Sequence, residues 1–300
     1  MIGRNLLRWL RQNVAPFPTV IALGRHPVNL DDVENILLDD FSASNLQTVL
    51  GEREIDLVIH LMAAGVHPSE RDTDLLTHIN SDLPALIVHL AARHKAKAVV
   101  IAGSSAEYLT PTGFQNIIEQ DPLEPSKVYG ATKAIGGQLA LQQGTSLDIP
   151  VGVARIFNVY GPGEAAHRLL PSLLSQLQHG HAVPLSLGTQ IRDFIYVDDV
   201  CAGLWHMARG LMNRQIAPNA YNLCTGTGNS VADFAKAVAR IGEYDASLLR
   251  FGALPLRPDD VAYLVGDPTS LQTSLGWKAS YDLAAGIAAS LEEISKGDYA

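Results

Sequence analysis

The sequence predicts an α/β fold: a doubly wound parallel sheet with a smaller C-terminal lobe. Three observations carry that reading. Apolar or β-branched runs alternate with helix-periodic segments over the first 160 residues, which implies parallel strands joined by right-handed crossovers. Two of the runs, IDLVIHLMAAG (55–65) and AKAVVIAGSS (96–105), are almost continuously apolar, as expected for strands covered on both faces. After residue 160 the rhythm loosens into shorter elements and proline-rich loops, which places the second lobe there.

MIGRNLL (1–7) reads as a helix already under way, with Gly3 in its opening turn. TVIALG (19–24) is a β-branched run ending in glycine, hence a strand. TDLLTHINSDLPALIVHLAARH (73–94) has helical spacing, with Pro84 expected to disturb it. SKVYGATKAIGGQLALQQG (126–144) reads as a helix that starts at Ser126 and stops at Gly144. PVGVARIFNVYGPG (150–163) is a strand running into a glycine–proline loop.

The 300 residues, 47% apolar and 18% charged, suffice for one large domain or two closely packed ones. A formal net charge of −9 argues against nucleic acid or an anionic membrane as the main partner. Cys201 and Cys224 are too few for a disulfide framework and suit a reducing compartment, so a cytoplasmic location is expected. No apolar run approaches the roughly 20 residues of a membrane span. Arg4, Arg8 and Arg11 among Leu6, Leu7, Trp9 and Leu10 have the look of an amphipathic transit peptide, but the landmarks below claim this segment for the fold. No metal is expected.

Chemistry enters at VYGATKA (128–134). Tyr129 and Lys133 are four apart on a predicted helix, so both project from one face. A phenol with a pKa near 10 is a poor base at neutral pH, and an ammonium beside it favours the phenolate. AGSSAEY (102–108) lies at the carboxyl end of a buried strand, the edge where open α/β sheets bind ligands. Its serines suit a substrate oxygen beside the phenol. The serine, a gap of about 25 residues and then Y-x-x-x-K are together far more specific than either part alone.

On these residues the chain resembles the extended short-chain dehydrogenase/reductases, the NAD-dependent epimerase/dehydratase group that acts on nucleotide sugars. DLVIHLMAA (56–64), IN (79–80), RIFNVYGPG (155–163), RDFIYVDDV (192–200), YNLCTGTGNSV (221–231) and the segment from RPDDV (257–261) to 287 are similar to its landmarks, in order. The resemblance implies a Rossmann-like sheet. Residues 1–160 plus about 194–225 would bind the dinucleotide, and about 161–193 plus 226–300 the nucleotide-diphosphate sugar. It casts Tyr129 as general acid/base and Lys133 as the residue that lowers its pKa and bonds the nicotinamide ribose. Ser104, or alternatively Ser105, is the catalytic serine. Asp40 with Phe41 would meet the adenine, and Ala63, Ala64 and Phe157 would lie beside the cofactor. Glu107, Asn158, Arg192 and Arg257 would contact the substrate, the arginines gripping its diphosphate. His60 is read as a core histidine. A homodimer is implied, built on helices 73–94 and 126–144, whose apolar residues such as Leu83, Ile87, Ile135 and Leu139 would in part cover the sheet and in part be shared between subunits.

MIGRNLL is similar to the end of the family's G-x-x-G-x-x-G loop, with Gly3 as the third glycine, which permits close helix–strand packing. The strand and the two glycines that precede it in the family are not in this sequence. A gap between strands 19–24 and 55–62 is therefore expected. Gly24-Arg25 at the end of the second strand leans toward NADP over NAD, because an arginine there accommodates the 2′-phosphate. The expected reaction is hydride transfer at a sugar carbon, of 4-ketoreductase or 4-epimerase type. The alternatives are a 4,6-dehydratase, with Glu107 supplying half of an acid pair, and a non-catalytic cofactor-binding relative.

Overall fold

The computed structural model describes residues 1–67, 69–256 and 260–297. The chain opens with α1 (Ile2–Asn13), β1 (Val20–Gly24), β2 (Val33–Leu37), α2 (Ala43–Leu50) and β3 (Leu57–His60). The segment expected as one disturbed helix is α3 (Thr73–Thr77), a wide π turn (His78–Asp82) and α4 (Leu83–Arg93). Pro84 sits in the first turn of α4, where its missing amide costs least. Next come β4 (Ala98–Ser104), α5 (Val128–Ser146), β5 (Val151–Ile156), β6 (Asn158–Tyr160), α6 (Leu169–Leu177) and β7 (Val183–Pro184). β8 (Ile191–Tyr196), α7 (Val197–Met212), β9 (Asn219–Leu223), β10 (Gly228–Ser230), α8 (Val231–Ile241) and β11 (Leu249–Arg250) follow. β12 (Tyr263–Leu264), α9 (Thr269–Leu275) and α10 (Leu283–Ser295) complete the described order.

The main sheet is parallel, in the order β3-β4-β5-β9. Every residue of β5 is buried, and Val99, Val100, Val151 and Ala154 have no exposed surface, as a sheet covered on both faces requires. β1 and β2 form their own parallel ladder, and no ladder among the described residues joins β1 to β3. The gap lies where the sequence placed it. In the C-terminal part, β8 pairs with β6, β10 and β12, and β7 pairs with β11.

Two boundaries of α5 differ from expectation, for packing reasons. The helix runs two residues past Gly144, where a Cβ would come 2.4 Å from Val151 Cγ2; this glycine makes room for the sheet. At the other end Lys127 occupies the N-cap position. Ser126 contributes no cap of its own. Instead Glu124 Oε1 accepts from the Ser126 amide and hydroxyl and from the Lys127 amide, at 2.9, 2.7 and 3.2 Å. Leu83 is buried in the core, so it offers nothing to a partner surface, whereas Val128, Ile135 and Leu139 of α5 are exposed.

Candidate active site

The candidate site forms where β4 ends and α5 begins. Backbone fit brings the two together: a Cβ on Gly130 would lie 2.1 Å from the Ala106 carbonyl oxygen, and one on Gly136 would lie 1.8 Å from that of Asn80. Only glycine permits helix α5 to press this closely on the turn after β4 and on the π turn. The Asn80 amide then ties the end of β3 to α5. Its Oδ1 accepts from Ala64 N at 3.0 Å, and its Nδ2 donates to Ala64 O at 3.0 Å and to Thr132 Oγ1 at 3.2 Å. A π turn at such a place is common at functional sites.

Within this frame Ser104, Tyr129 and Lys133 converge. The Ser104 hydroxyl hydrogen-bonds the Tyr129 phenol, while Ser105 is buried beside it. Lys133 is 3% exposed, and its Nζ donates to the Ala102 carbonyl at 2.6 Å. Burial raises the Tyr129 phenol above its ordinary value; the Ser104 hydrogen bond opposes that, Glu107 adds to it and Arg168 opposes it. Burial lowers the Lys133 ammonium, and Glu107 opposes that. One of the three ammonium protons is thus given to Ala102, and the groups that favour the phenolate here are Ser104 and Arg168. His60, next to Lys133 in the electrostatic sense, is driven down to about 3 by burial and then by that ammonium. It is a neutral core histidine.

Glu107 does not reach toward a substrate. It is 1% exposed; Oε1 accepts from the Ser104 amide at 2.7 Å and Oε2 from Arg155 Nε at 2.9 Å. A cavity of about 210 Å³ opens beside Tyr129, lined by Ser105, Tyr108, Thr110, Lys127, Val261 and Leu264 among others. None of its described lining residues is an acid. A larger cleft of about 450 Å³ lies at the amino ends of β5 and β9, on the opposite edge of the sheet from Ser104, and holds none of these groups.

The remaining expected site residues are placed unevenly. Ala63 and Ala64 stand at the carboxyl end of β3, beside this centre. Asn158 has a buried Oδ1 without a hydrogen-bond partner among the described residues. Arg192 is committed to its own lobe, donating to Asp260 Oδ1 and to the Val261 carbonyl, both at 2.6 Å. Phe157 packs its ring among Tyr108, Ile117 and Cys224 in a buried cluster. Asp40 accepts from Ser42 and Asn45 in its own turn, with Phe41 buried beneath α2 and α4. Arg25 is exposed just after β1. A Cβ on Gly3 would meet Leu61 Cδ1 at an ordinary 3.7 Å, so close packing does not require glycine there. Arg257 lies outside the described residues. Sequence reading assigned no role to Gly130, Gly136 or Arg155. The signal for Arg155 was present, since a charge inside the buried strand VGVARI demands a partner.

Among known proteins, the description of the NAD dependent epimerase/dehydratase family matches residues 1–224. The chain belongs to that family. It is 29% identical over 238 residues to a dTDP-glucose 4,6-dehydratase of Streptomyces griseus, covering 79% of this chain and 70% of the relative. It is also 29% identical over 260 residues to a UDP-glucose 4-epimerase of Bacillus subtilis, covering 79% and 75%. The solved structure of MoeE5 in complex with UDP-glucuronic acid and NAD superposes with a TM-score of 0.83 at 27% identity, covering 99% of this chain and 96% of that one. Family membership makes the chain an NAD-dependent enzyme of the extended short-chain dehydrogenase/reductase type, on a Rossmann-like fold. The lean toward NADP drawn from Gly24-Arg25 has no support in these relatives.

The residues present fit a dinucleotide. α1 begins without a side-chain cap and without an acid in its first turn, so its first amides are open to an anion. Ala63 and Ala64 put only small side chains after β3, and Lys133 is a buried cation on α5. No helix among the described residues is long and apolar enough to cross a membrane.

Proposed function

We propose that the chain binds NAD and a nucleotide-diphosphate sugar and carries out hydride transfer at a sugar carbon, of the 4-epimerase or 4-ketoreductase type. The observation that carries this reading is the convergence of Ser104, Tyr129 and Lys133 beside a cavity whose described lining holds no acid. Elimination of water, as a 4,6-dehydratase requires, needs a general acid besides the tyrosine. Glu107, the candidate for half of that pair, is spent on Arg155.

The bound nicotinamide would supply the hydride acceptor and donor. Tyr129 would take the proton of the sugar hydroxyl as the hydride leaves the carbon and return it when the carbon is reduced again, with Ser104 and Arg168 offsetting the burial that favours its protonated form. Ser104 shares the phenol's hydrogen bond and fixes the orientation of the oxygen between them. Lys133, tied to Ala102, holds the floor of the site and offers its remaining protons to a ribose. Arg192 steadies the segment that carries Val261 into the cavity wall, and Asn158 presents its open acceptor to the ligand. NAD is the cofactor favoured by the relatives, and the exposed apolar stripe Val128, Ile135 and Leu139 supports a homodimer, testable by light scattering.

Incubation of the protein with NAD and UDP-glucose or dTDP-glucose, with product analysis by NMR, tests this. Inversion at the sugar C4 without loss of water is expected. A 4-keto-6-deoxy product would overturn the reading in favour of a dehydratase. Tyr129→Phe should lower turnover by about 10²–10⁴ while leaving the fold intact.

A further inference from the structure

The turn that carries Ser104 is built on a buried charge pair. Ser104 and Glu107 form a reciprocal box, Ser104 Oγ accepting from Ala106 N at 3.2 Å and Glu107 Oε1 from Ser104 N at 2.7 Å. The second carboxylate oxygen accepts from Arg155 Nε on β5. Arg155 Nη1 in turn donates to the Tyr108 hydroxyl and the Glu119 carbonyl, both at 3.0 Å, and its guanidinium lies over the Tyr108 ring. The Tyr108 hydroxyl donates to Asn222 Oδ1 on β9. One polar chain therefore runs from the half-buried Ser104 turn across β5 to β9, with Glu107, Arg155, Tyr108 and Asn222 all buried. Gly103 is part of the device, because a Cβ there would lie 2.5 Å from Glu107 Oε1. From the other side Gly130 presses α5 onto Ala106.

A buried ion pair is costly to maintain, and a well-packed apolar pair would hold a turn as well. What the apolar pair would lack is negative charge at this point. We propose that Glu107, held by Arg155, is a positioning residue for proton transfer: it fixes Ser104 against Tyr129 and supplies the negative charge that faces Lys133. The electrostatics agree in sign at Lys133, whose ammonium Glu107 favours against burial; Glu107 also raises the phenol, and there Ser104 and Arg168 oppose it. The other charged or titratable groups facing these two are His60 on β3, which is neutral, and Arg168 at the start of α6. The inference rests on the proposed roles of Tyr129 and Lys133.

The test is Glu107→Gln, which keeps an acceptor for the Ser104 amide and removes the charge. The Lys133 ammonium is followed by 13C NMR of labelled lysine side chains, its signal assigned by loss in Lys133→Met. In the folded variant Lys133 should deprotonate at lower pH than in the wild type. With UDP-glucose and NAD, turnover should fall about tenfold or more while KM stays within about threefold. If Glu107→Gln does not fold, Glu107→Gln/Arg155→Gln removes both charges, and a smaller Lys133 shift in the same direction is expected, because the Arg155 cation is lost with the carboxylate. A Lys133 titration unchanged in either folded variant would overturn the proposal. Undiminished turnover in Tyr129→Phe would instead overturn the catalytic reading, and the NMR result does not depend on it.

Discussion

The two parts of the parallel sheet differ in how fully their backbone is paired. β4 and β5 each have a strand on both sides, and glycines at 130, 136 and 144 let α5 sit directly on the turns and strand they face. β1 and β2 form a two-strand ladder, and all five residues of β1 are half-buried at best. Ser104, Tyr129 and Lys133 all belong to the first part. Arg25 and Asp40, the expected contacts for the adenosine end of a dinucleotide, belong to the second and are exposed. Close packing is thus concentrated around the proposed proton-transfer residues and is sparse around the residues proposed to meet the adenosine.

Three substitutions break or sharpen this contrast. Gly136→Ala drives a methyl into the Asn80 carbonyl, which cannot retreat without moving the π turn; a loss of about 3 kcal/mol or more is expected in chemical denaturation. Arg192→Ala frees the 260–261 segment and should weaken UDP-sugar binding by about 1.5–3 kcal/mol in calorimetry, with NAD binding unchanged. Gly3→Ala has room for its methyl at 3.7 Å from Leu61 and replaces the poorest non-proline helix former. It should be neutral or stabilising by up to about 1 kcal/mol. Destabilisation by Gly3→Ala comparable to that by Gly136→Ala would erase the difference between the two parts.

The strands, the order of the landmarks and the nearness of the Ser104 turn to the helix of Tyr129 and Lys133 were legible because each depends on local pattern: apolar runs, glycine–proline loops and a four-residue spacing on one helix face. The pairing of Glu107 was not. Its partner Arg155 is 48 residues away, and nothing in AGSSAEY tells whether the carboxylate points into the cavity or back into the sheet. The same holds for Gly130 and Gly136, whose importance lies in carbonyls of other elements, and for Gly144, read as a stop when it is a contact. The hydrogen bond from Lys133 to the Ala102 carbonyl was not legible either, because only the packed structure brings that strand carbonyl within reach. The gap between β1 and β3 could be anticipated, because it followed from which strands the sequence contains.

Hydrogen–deuterium exchange resolved to individual segments measures the contrast most directly. β4, β5 and the first turns of α5 should exchange only through opening of the whole sheet, while β1 and β2 exchange faster by several orders of magnitude, on the order of local rather than global opening. Protection of β1 equal to that of β4 would contradict the account, because it would mean that the unpaired edge is held as firmly as the strands that carry Ser104 and Arg155.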